Sequence, residues 1–574
     1  MDDLRINLSQ PDALIQLAFL GLISGLISGI IIVAFRLLVE SSQIVLLQGI
    51  VENFEVLSLE QRVIYPVVGS IFIALLFRYF SKGIRVLGIA RVIESMALSQ
   101  GYLSLRGFFL QFFGAAIAII SGHSVGREGP IVFLGAASSS LLGQSLRLPN
   151  NSIRTLVGCG TAAGIAASFD TPLAGVIFAL EVVMMEYTMV SFVPVIIAAV
   201  SATWVSVFFF GHEPPILSDI AYEATLSDLP LVILLGIIAG IFSALFVHLI
   251  QLISTKTQQI NFSAKLISAG FIVGLIAMIE PGVMGVGYDS LVQIVSANIL
   301  LDSLLLLLMF KLLATVACLG LGIPGGVVGP ALFLGASLGG VFALIIRLFF
   351  PEFDAVNISI YSMLGMGAVM GASLQAPLAA LIAMMELTRM PEVILPGMIT
   401  IVIANLTASE IFHKKSLFIS MLESNGIDIT ANPVTQSLRR IGVASVMNRS
   451  ILQTGPMITI KNLNECISNE TQWLIIDAHE DEIEKILALG DLVLLSEQYK
   501  KNSTDELIDL NLNLEHDIGL SSVTSIHLQA TLEEALNKMN HFNINMLYVR
   551  RVVAPGRIHI YGIVTREQIE ASYH

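Results

Sequence analysis

Charged residues are scarce in this sequence of 574 residues. Only 13% are Asp, Glu, Lys or Arg, whereas 55% are hydrophobic, and the mean hydropathy is +0.82. This composition excludes an ordinary soluble globular protein and predicts a polytopic membrane protein. Basic residues are scarcer than acidic residues, with 30 Lys and Arg against 44 Asp and Glu. A net charge of −14 offers no basic surface for nucleic acid.

Cysteine is nearly absent as well. The three cysteines, Cys159, Cys318 and Cys466, lack metal-ligand spacing, so neither a metal site nor a disulfide framework is predicted. The apolar segments contain no HExxH, GxSxG or paired aspartates, which argues against an intramembrane enzyme. The start of the chain lacks a basic n-region, so we expect the first apolar run to remain as a helix.

Charge is distributed unevenly along the chain. Residues 441–574 carry 28 charged side chains in 134 positions, while residues 1–440 carry only 46. This difference predicts an integral membrane domain followed by a soluble, acidic α/β domain. The predicted boundaries are an N-terminal segment (1–13), the membrane domain (14–425), a linker (426–443) and the soluble domain (444–574), with a further linker at 500–509.

Apolar segments of irregular length, often interrupted by Gly or Pro, fill the membrane domain. Several are shorter than the roughly 20 residues needed to cross a bilayer, which is typical of transporters and channels. In the first segment Gly21, Gly25 and Gly29 recur every fourth residue, a pattern that predicts close helix packing.

The membrane domain contains an internal repeat, with halves at about 14–210 and 229–425. Gly126-Arg127-Glu128-Gly129-Pro130 corresponds to Gly325-Gly326-Val327-Val328-Gly329-Pro330, and Phe-Leu-Gly-Ala follows each run. Each half later has Pro-Leu-Ala with a lone glutamate nine residues after the Pro, Glu181 or Glu386. Glycines before a Pro predict a break that opens a helix. Paired breaks in two halves predict a site at the membrane midplane, and helix N-termini bind anions.

Glu128 is the predicted functional residue of the first break. An ionisable group within a membrane domain is functional by default, and at a helix N-terminus its carboxylate would occupy the place of an anion. Protonation, or displacement by an anion, would then free the site, so Glu128 is predicted to be a gate. The alternatives are a structural salt bridge with Arg127 and a lipid-facing loop position.

These runs, together with the two Pro-Leu-Ala glutamate helices, resemble the CLC family of chloride channels and proton/chloride exchangers over about residues 15–425. The tail resembles the CBS-domain pair that many members carry, with a degenerate first copy. The resemblance implies an all-α polytopic membrane domain with an inverted internal repeat and broken, re-entrant helices, followed by a small cytoplasmic α/β domain. It also implies a homodimer in the lipid bilayer, one pore per subunit and cytoplasmic termini. The compact single-chain layout suggests a bacterial inner membrane.

By this resemblance Glu128 is the external gating glutamate, and backbone amides line the anion sites. Neutral amides suit conduction, which requires weak, multiple sites. The implied anion-binding set is Gly88, Ile89, Arg127, Glu128, Gly129, Val327, Val328, Gly329 and Phe418.

The sequence departs from the family pattern at three positions. Leu87 replaces a serine and Phe418 replaces a tyrosine, so two hydroxyl donors to the central anion are missing. Val182 stands where many exchangers have a second, proton-relaying glutamate. The adjacent Glu181 points about 100° away on a helix and is expected to cap or pair inside the bundle. His123 is expected to be a satisfied loop residue rather than a proton relay.

The sequence therefore predicts transport of chloride or a similar small anion through a Glu128-gated pore, channel-like or weakly coupled to protons. Two alternatives stay open: a proton/chloride antiporter with an unconventional inner proton path, and a carrier of fluoride, bicarbonate or nitrate. No cofactor is expected in the membrane domain. An adenosine nucleotide in the tail stays open, although Gln568 stands where the resemblance implies a ribose-binding aspartate. A dimerisation or assembly role of the tail is favoured.

Overall fold

The computed structural model describes residues 13–84, 87–212, 228–297, 299–349, 357–427, 429, 437–454, 457–459, 472–478, 482–488, 490, 493, 507–509, 523–554 and 557–572. The chain forms two compact units. The membrane unit comprises 14–146 and 153–429, and the tail unit comprises 1–13, 147–152 and 430–574. The boundary between residues 429 and 430 lies inside the predicted linker.

Helices make up the first half of the chain. They are α1 (Leu14–Leu46), α2 (Leu59–Phe80), α3 (Gly88–Leu98), α4 (Leu105–Ile120), α5 (Glu128–Ser145), α6 (Asn150–Phe169), α7 (Pro172–Phe178) and α8 (Met189–Phe210), and a π-helical turn, Ala179–Met184, continues α7. Helix α2 begins where Ser58 and Gln61 form a capping box. At 11 residues, α3 is too short to cross a bilayer.

The second half repeats this plan. It contains α9 (Leu229–Lys256), α10 (Phe262–Ile279), α11 (Tyr288–Val295), α12 (Leu301–Gly320), α13 (Val328–Phe349), α14 (Ile358–Leu374), α15 (Pro377–Thr388), α16 (Ile394–Leu406) and α17 (Leu417–Ser424). Across the described residues, eight helical segments are long and apolar enough to span a membrane. The mostly helical polytopic fold with many short apolar helices is therefore confirmed.

Small residues bring the helices of the membrane unit into backbone contact. Helix α1 packs on α8, and a Cβ atom at Gly21 would lie 2.6 Å from the Pro194 carbonyl oxygen. The glycine stripe of α1 is thus confirmed as a packing surface. Gly135 on α5 meets Gly160 on α6 in the same way, and Gly335 on α13 meets Gly365 on α14.

The tail unit is a small α/β structure. Its clearest part is a sheet of β6 (Thr524–His527), β7 (Met546–Ala554) and β8 (Arg557–Thr565) with helices α19 (Leu532–Phe542) and α20 (Arg566–Ala571). Strands β6 and β7 are parallel, while β7 and β8 are antiparallel. This order of elements agrees with the predicted α/β domain.

In the earlier part of the tail, the described residues form a short helix and two further sheets. Helix α18 (Val443–Val446) precedes β1 (Ile451–Thr454), β3 (Trp473–Ala478) and β4 (Glu482–Ala488), which form one sheet. In the other, β2 (Met457–Thr459) pairs with β5 (Leu507–Asp509). The prediction of a linker at 500–509 is therefore wrong for its last three residues, because strand pairing orders them. Residues 500–506 lie outside the described part of the chain.

Candidate anion-binding site

The two glycine-rich breaks meet inside the membrane unit. The Gly126 amide donates to the Gly326 carbonyl at 2.8 Å, and the Gly326 amide donates to the Gly126 carbonyl at 2.7 Å. Matching turns precede them, since Val125 donates to His123 and Gly325 donates to Ile323, each at 2.8 Å. Helices α5 and α13 each begin two residues after this bridge, so the N-termini of the two helices lie beside each other.

Glu128, the first residue of α5, is 1% exposed, which excludes a lipid-facing position. Its Oε1 accepts a hydrogen bond from the Tyr288 hydroxyl at 2.9 Å. Its Oε2 is buried and has no hydrogen-bond partner among the described residues. The carboxylate therefore has a single described donor.

Glycine makes the space that this carboxylate occupies. A Cβ atom at Gly329 would lie 2.7 Å from Oε1, a Cβ atom at Gly326 would lie 3.0 Å from Oε2, and a Cβ atom at Gly126 would collide with Oε2. Both breaks contribute to this space. The carboxylate thus lies between two helix N-termini, where the positive ends of both dipoles favour negative charge.

The Arg127 side chain contacts two aromatic rings and a backbone carbonyl. Its guanidinium carbon lies 5.3 Å from the centre of the Phe169 ring and 5.0 Å from that of Tyr288. One guanidinium nitrogen donates to the Ser168 carbonyl at 3.2 Å, and the other lies 3.9 Å from Glu40.

A small cavity adjoins Glu128. Its volume is about 30 Å³, room for one or two water molecules. Its walls are almost entirely apolar and come from both halves of the membrane unit. Besides Glu128 they include Ile89, Val132, Phe169, Thr171, Ala174, Phe178, Val328, Leu332 and Ala379.

Leu87 and Gly88 lie on a separate, larger crevice of about 830 Å³. Helix α3 begins there, and the Gly88 amide donates to Gln111 Oε1 at 2.8 Å. Gln111 is fully buried, and its Nε2 has no partner among the described residues. A side-chain amide is therefore present beside the position where the serine hydroxyl is missing. We did not predict Gln111, although it is a polar residue in the middle of an apolar segment.

The other two departures are buried. Val182 is 5% exposed in the π-helical turn after α7, and Phe418 is 4% exposed near the start of α17. Helix α17 packs on α3, the helix that begins at Gly88. The structure thus places Phe418 on a neighbour of the Leu87 crevice and surrounds Val182 with core residues.

Glu181 and Glu386 cap each other's helices. The Glu181 carboxylate accepts from the Leu378 amide at 3.2 Å and the Ala379 amide at 2.7 Å, at the start of α15. Glu386 accepts from Leu173 at 3.0 Å and Ala174 at 2.7 Å, at the start of α7. The prediction that Glu181 has a capping role is confirmed.

His123 is buried with both ring nitrogens occupied. Nε2 lies 2.8 Å from the Ser70 hydroxyl, and Nδ1 lies 3.0 Å from the Ser121 hydroxyl. The prediction of a satisfied loop residue is confirmed.

The sequence reasoning overlooked three polar residues, of which one contacts Glu128 and two hold the turn from which that residue comes. Tyr288 donates to Glu128, Glu52 accepts the Tyr288 amide at 3.1 Å, and Lys311 donates to the Val283 and Gly285 carbonyls, each at 3.0 Å. A signal existed for Lys311, since a lysine inside an apolar span is functional or paired by default. Tyr288 had a weaker signal, a position just after Gly-Val-Gly.

Comparisons relate the chain to known proteins. A sequence model of the family described as "Voltage gated chloride channel" matches residues 69–409. A putative chloride channel protein ClcB-like of Ralstonia nicotianae is 32% identical over 409 residues, which cover 68% of this chain and 93% of that protein. The H(+)/Cl(-) exchange transporter ClcA of Vibrio cholerae is 34% identical over 300 residues, which cover 51% of this chain and 64% of that protein.

A solved structure extends the similarity to the fold. The crystal structure of a slow cyanobacterial Cl−/H+ antiporter aligns with a TM-score of 0.63 at 22% identity, over 71% of this chain and 97% of that one.

Proposed function

This chain belongs to the voltage gated chloride channel family, the CLC family of anion transport proteins, and we propose on that basis that it carries chloride across a membrane along a path gated by Glu128. The observation that carries the proposal is the position of the Glu128 carboxylate between two helix N-termini in space made by three glycines. A carboxylate there is a substitute for a bound anion, so its protonation or displacement would open the path.

The proposed path uses neutral donors. Backbone amides at 127–129 and 327–329 lie at the starts of α5 and α13, and Gly88 and Ile89 lie at the start of α3. The Nε2 of Gln111, which has no partner in the described part of the chain, supplies a donor beside Leu87. Weak donors of this kind allow an anion to bind and leave.

Between transport modes, the structure favours uncoupled or weakly coupled, channel-like transport. Val182 is apolar and buried, and both carboxylate oxygens of the neighbouring Glu181 accept amide hydrogen bonds. These contacts support the proposal that neither residue relays protons to Glu128.

A proton/chloride antiporter is the second candidate. The cavity beside Glu128 is large enough by volume for one or two water molecules, but its almost entirely apolar walls favour a dry cavity, so exchange would need another inner proton path. The names of the Vibrio relative and of the cyanobacterial structure favour exchange.

The test is ion flux from chloride-loaded liposomes, with and without valinomycin, while external pH is recorded. Chloride efflux that needs valinomycin and moves no stoichiometric protons supports the channel-like mode. Uphill proton movement driven by a chloride gradient supports the antiporter. Efflux from liposomes loaded with fluoride, bicarbonate or nitrate instead of chloride would identify another transported anion. If neither chloride nor any of these anions moves, the proposal is overturned.

We further propose a homodimer with one path per subunit in a bacterial inner membrane, with both termini cytoplasmic and the tail acting in assembly as a CBS-like pair. Nucleotide binding by the tail stays a weaker proposal. Gln568 Oε1 accepts the Thr565 amide at 2.9 Å in the capping box of α20, so that oxygen is already engaged.

A further inference from the structure

The gating carboxylate is held from one side by a phenol. The Tyr288 hydroxyl oxygen is 2.9 Å from Glu128 Oε1, while Oε2 has no partner among the residues described. A hydrogen bond to an ionised acceptor is stronger than one to a neutral acceptor and favours the ionised form. We propose that Tyr288 is a positioning residue of the gate, whose hydroxyl holds the ionised Glu128 in the blocking position and so sets the pH at which the path opens.

The ring of Tyr288 is fixed by its neighbours. Its face lies 5.0 Å from the guanidinium carbon of Arg127, and the Phe169 ring meets it edge-on with centroids 6.1 Å apart. Arg127 also lies over Phe169. A cation on an aromatic face and an edge-to-face pair each restrain the ring, which directs the hydroxyl at Glu128.

The backbone of Tyr288 is fixed as well. Its amide donates to Glu52 in the loop between α1 and α2. The preceding Gly287 has φ +86°, and a Cβ atom there would lie 3.2 Å from Lys311 Nζ. Lys311 in turn binds the carbonyls of Val283 and Gly285. Tyr288 is therefore anchored from α12 and from the α1–α2 loop, independently of Glu128.

Several charged groups lie near Tyr288, and the substitutions used to test the inference leave all of them unchanged. Arg127 comes from the break before α5, Glu52 from the α1–α2 loop, Lys311 from α12 and Asp289 from α11 itself. Replacing Tyr288 by Phe keeps the ring and all of these charges and removes one hydroxyl. A change in pH dependence is then assignable to the lost hydrogen bond.

The inference rests on the proposed function, and the experiment separates the two. Chloride flux from liposomes is measured against pH for the wild type, Tyr288→Phe, Glu128→Gln and the double variant. We expect Tyr288→Phe to move the pH of half-maximal flux by about one unit towards alkaline values, since a hydrogen bond to a charged group has that order of strength. The double variant is expected to match Glu128→Gln. Tyr361→Phe, which removes another buried tyrosine hydroxyl on α14, is the control and is expected to cause no shift.

An unshifted profile in Tyr288→Phe, or an equal change in the presence and absence of Glu128, overturns the inference while leaving the proposed function intact. No chloride flux in the wild type overturns the proposed function instead. If Tyr288→Phe does not fold, a fluorinated tyrosine at position 288 gives the test. A more acidic phenol donates more strongly, so the expected shift is towards acidic pH, and an alkaline shift or none overturns the inference.

Discussion

A buried carboxylate oxygen without a partner costs free energy, and proteins retain such groups where they have a use. Glu128 Oε2, at the meeting point of the two breaks, has no hydrogen-bond partner in the part of the chain that the structure describes. Helix dipoles offset part of the cost, and an incoming anion would use the same dipoles. At the scale of one residue, the two helix N-termini favour negative charge, and the Glu128 carboxylate occupies the space between them.

Replacing Glu128 by Gln is expected to leave chloride flux nearly independent of pH and faster at neutral pH, because the amide keeps the size but carries no charge. Flux from liposomes between pH 4 and 8 measures this, with Glu60→Gln at the exposed start of α2 as the control. A Glu128→Gln profile that still rises steeply with acid would assign the gate to another group.

Lys311→Met is expected to destabilise the protein by about 2 kcal/mol, because two buried carbonyls lose their donor. Thermal unfolding in detergent measures the change. Lys256→Met at the exposed end of α9 is the matched control and should have little effect. Equal stability of the two variants would show that the lysine does not hold the 283–287 turn.

At the scale of elements, α7 and α15 come from different halves of the repeat, and the start of each helix is capped by a glutamate from the other half. Each helix starts with Pro, which supplies no amide, and the next two amides bind a glutamate of the other helix. The carboxylates also lie at the positive ends of the helix dipoles. Two equivalent pairs of hydrogen bonds therefore join α7 to α15.

Glu181→Gln and Glu386→Gln are expected to lower stability equally, by about 1 kcal/mol each, because each removes the charge from one cap. The same two variants also test proton coupling. Glu181 and Glu386 have the same capping geometry, but only Glu181 is adjacent to Val182, the position of the relay glutamate of many exchangers. The ratio of protons to chloride should be unchanged in both. A ratio that changes in Glu181→Gln alone would give Glu181 a proton-relay role.

Gly335→Ala is expected to destabilise the membrane unit by about 1–3 kcal/mol, because the added Cβ collides with the backbone of Gly365 and the two helices must separate. Ser337→Ala, two residues further along α13, removes an atom and is the control. Detergent unfolding compares them, and an unaffected Gly335→Ala would mean that α13 and α14 have room to move apart.

Glycine, proline and the repeat were enough to predict the breaks, the short helices and the position of Glu128. These signals are local, because Gly residues followed by Pro are themselves typical of a helix start. The partners of Glu128 were not predictable in the same way. Tyr288 lies 160 residues away in a turn outside the repeated motifs, and its approach to Glu128 depends on how Lys311 and Glu52 hold that turn. Gln111 was likewise missed because only packing places it at Gly88.

At the scale of the whole molecule, the two units have separate hydrophobic cores. The core of the membrane unit extends from Ile32 to Leu422, and a core of the tail unit extends from Leu438 to Ile569.

A chain that ends at residue 429 is therefore expected to fold in detergent and to transport chloride, because the core and the proposed path lie within the membrane unit. Gel filtration and liposome flux, compared with the full chain, measure this. Folded but inactive protein would show that transport depends on the tail.

The bridge between Gly126 and Gly326 joins residues 200 positions apart. During synthesis at about 5–20 residues per second, the first break waits roughly 10–40 s for its partner. If the first half inserts during that interval, the Gly126 amide and carbonyl lack the Gly326 partners of the folded chain, and a bilayer interior tolerates unpaired backbone groups only where water or protein reaches them. We therefore expect each half to be less stable alone than with its partner, so that two half-chains made together accumulate in the membrane to a higher level than either half made alone.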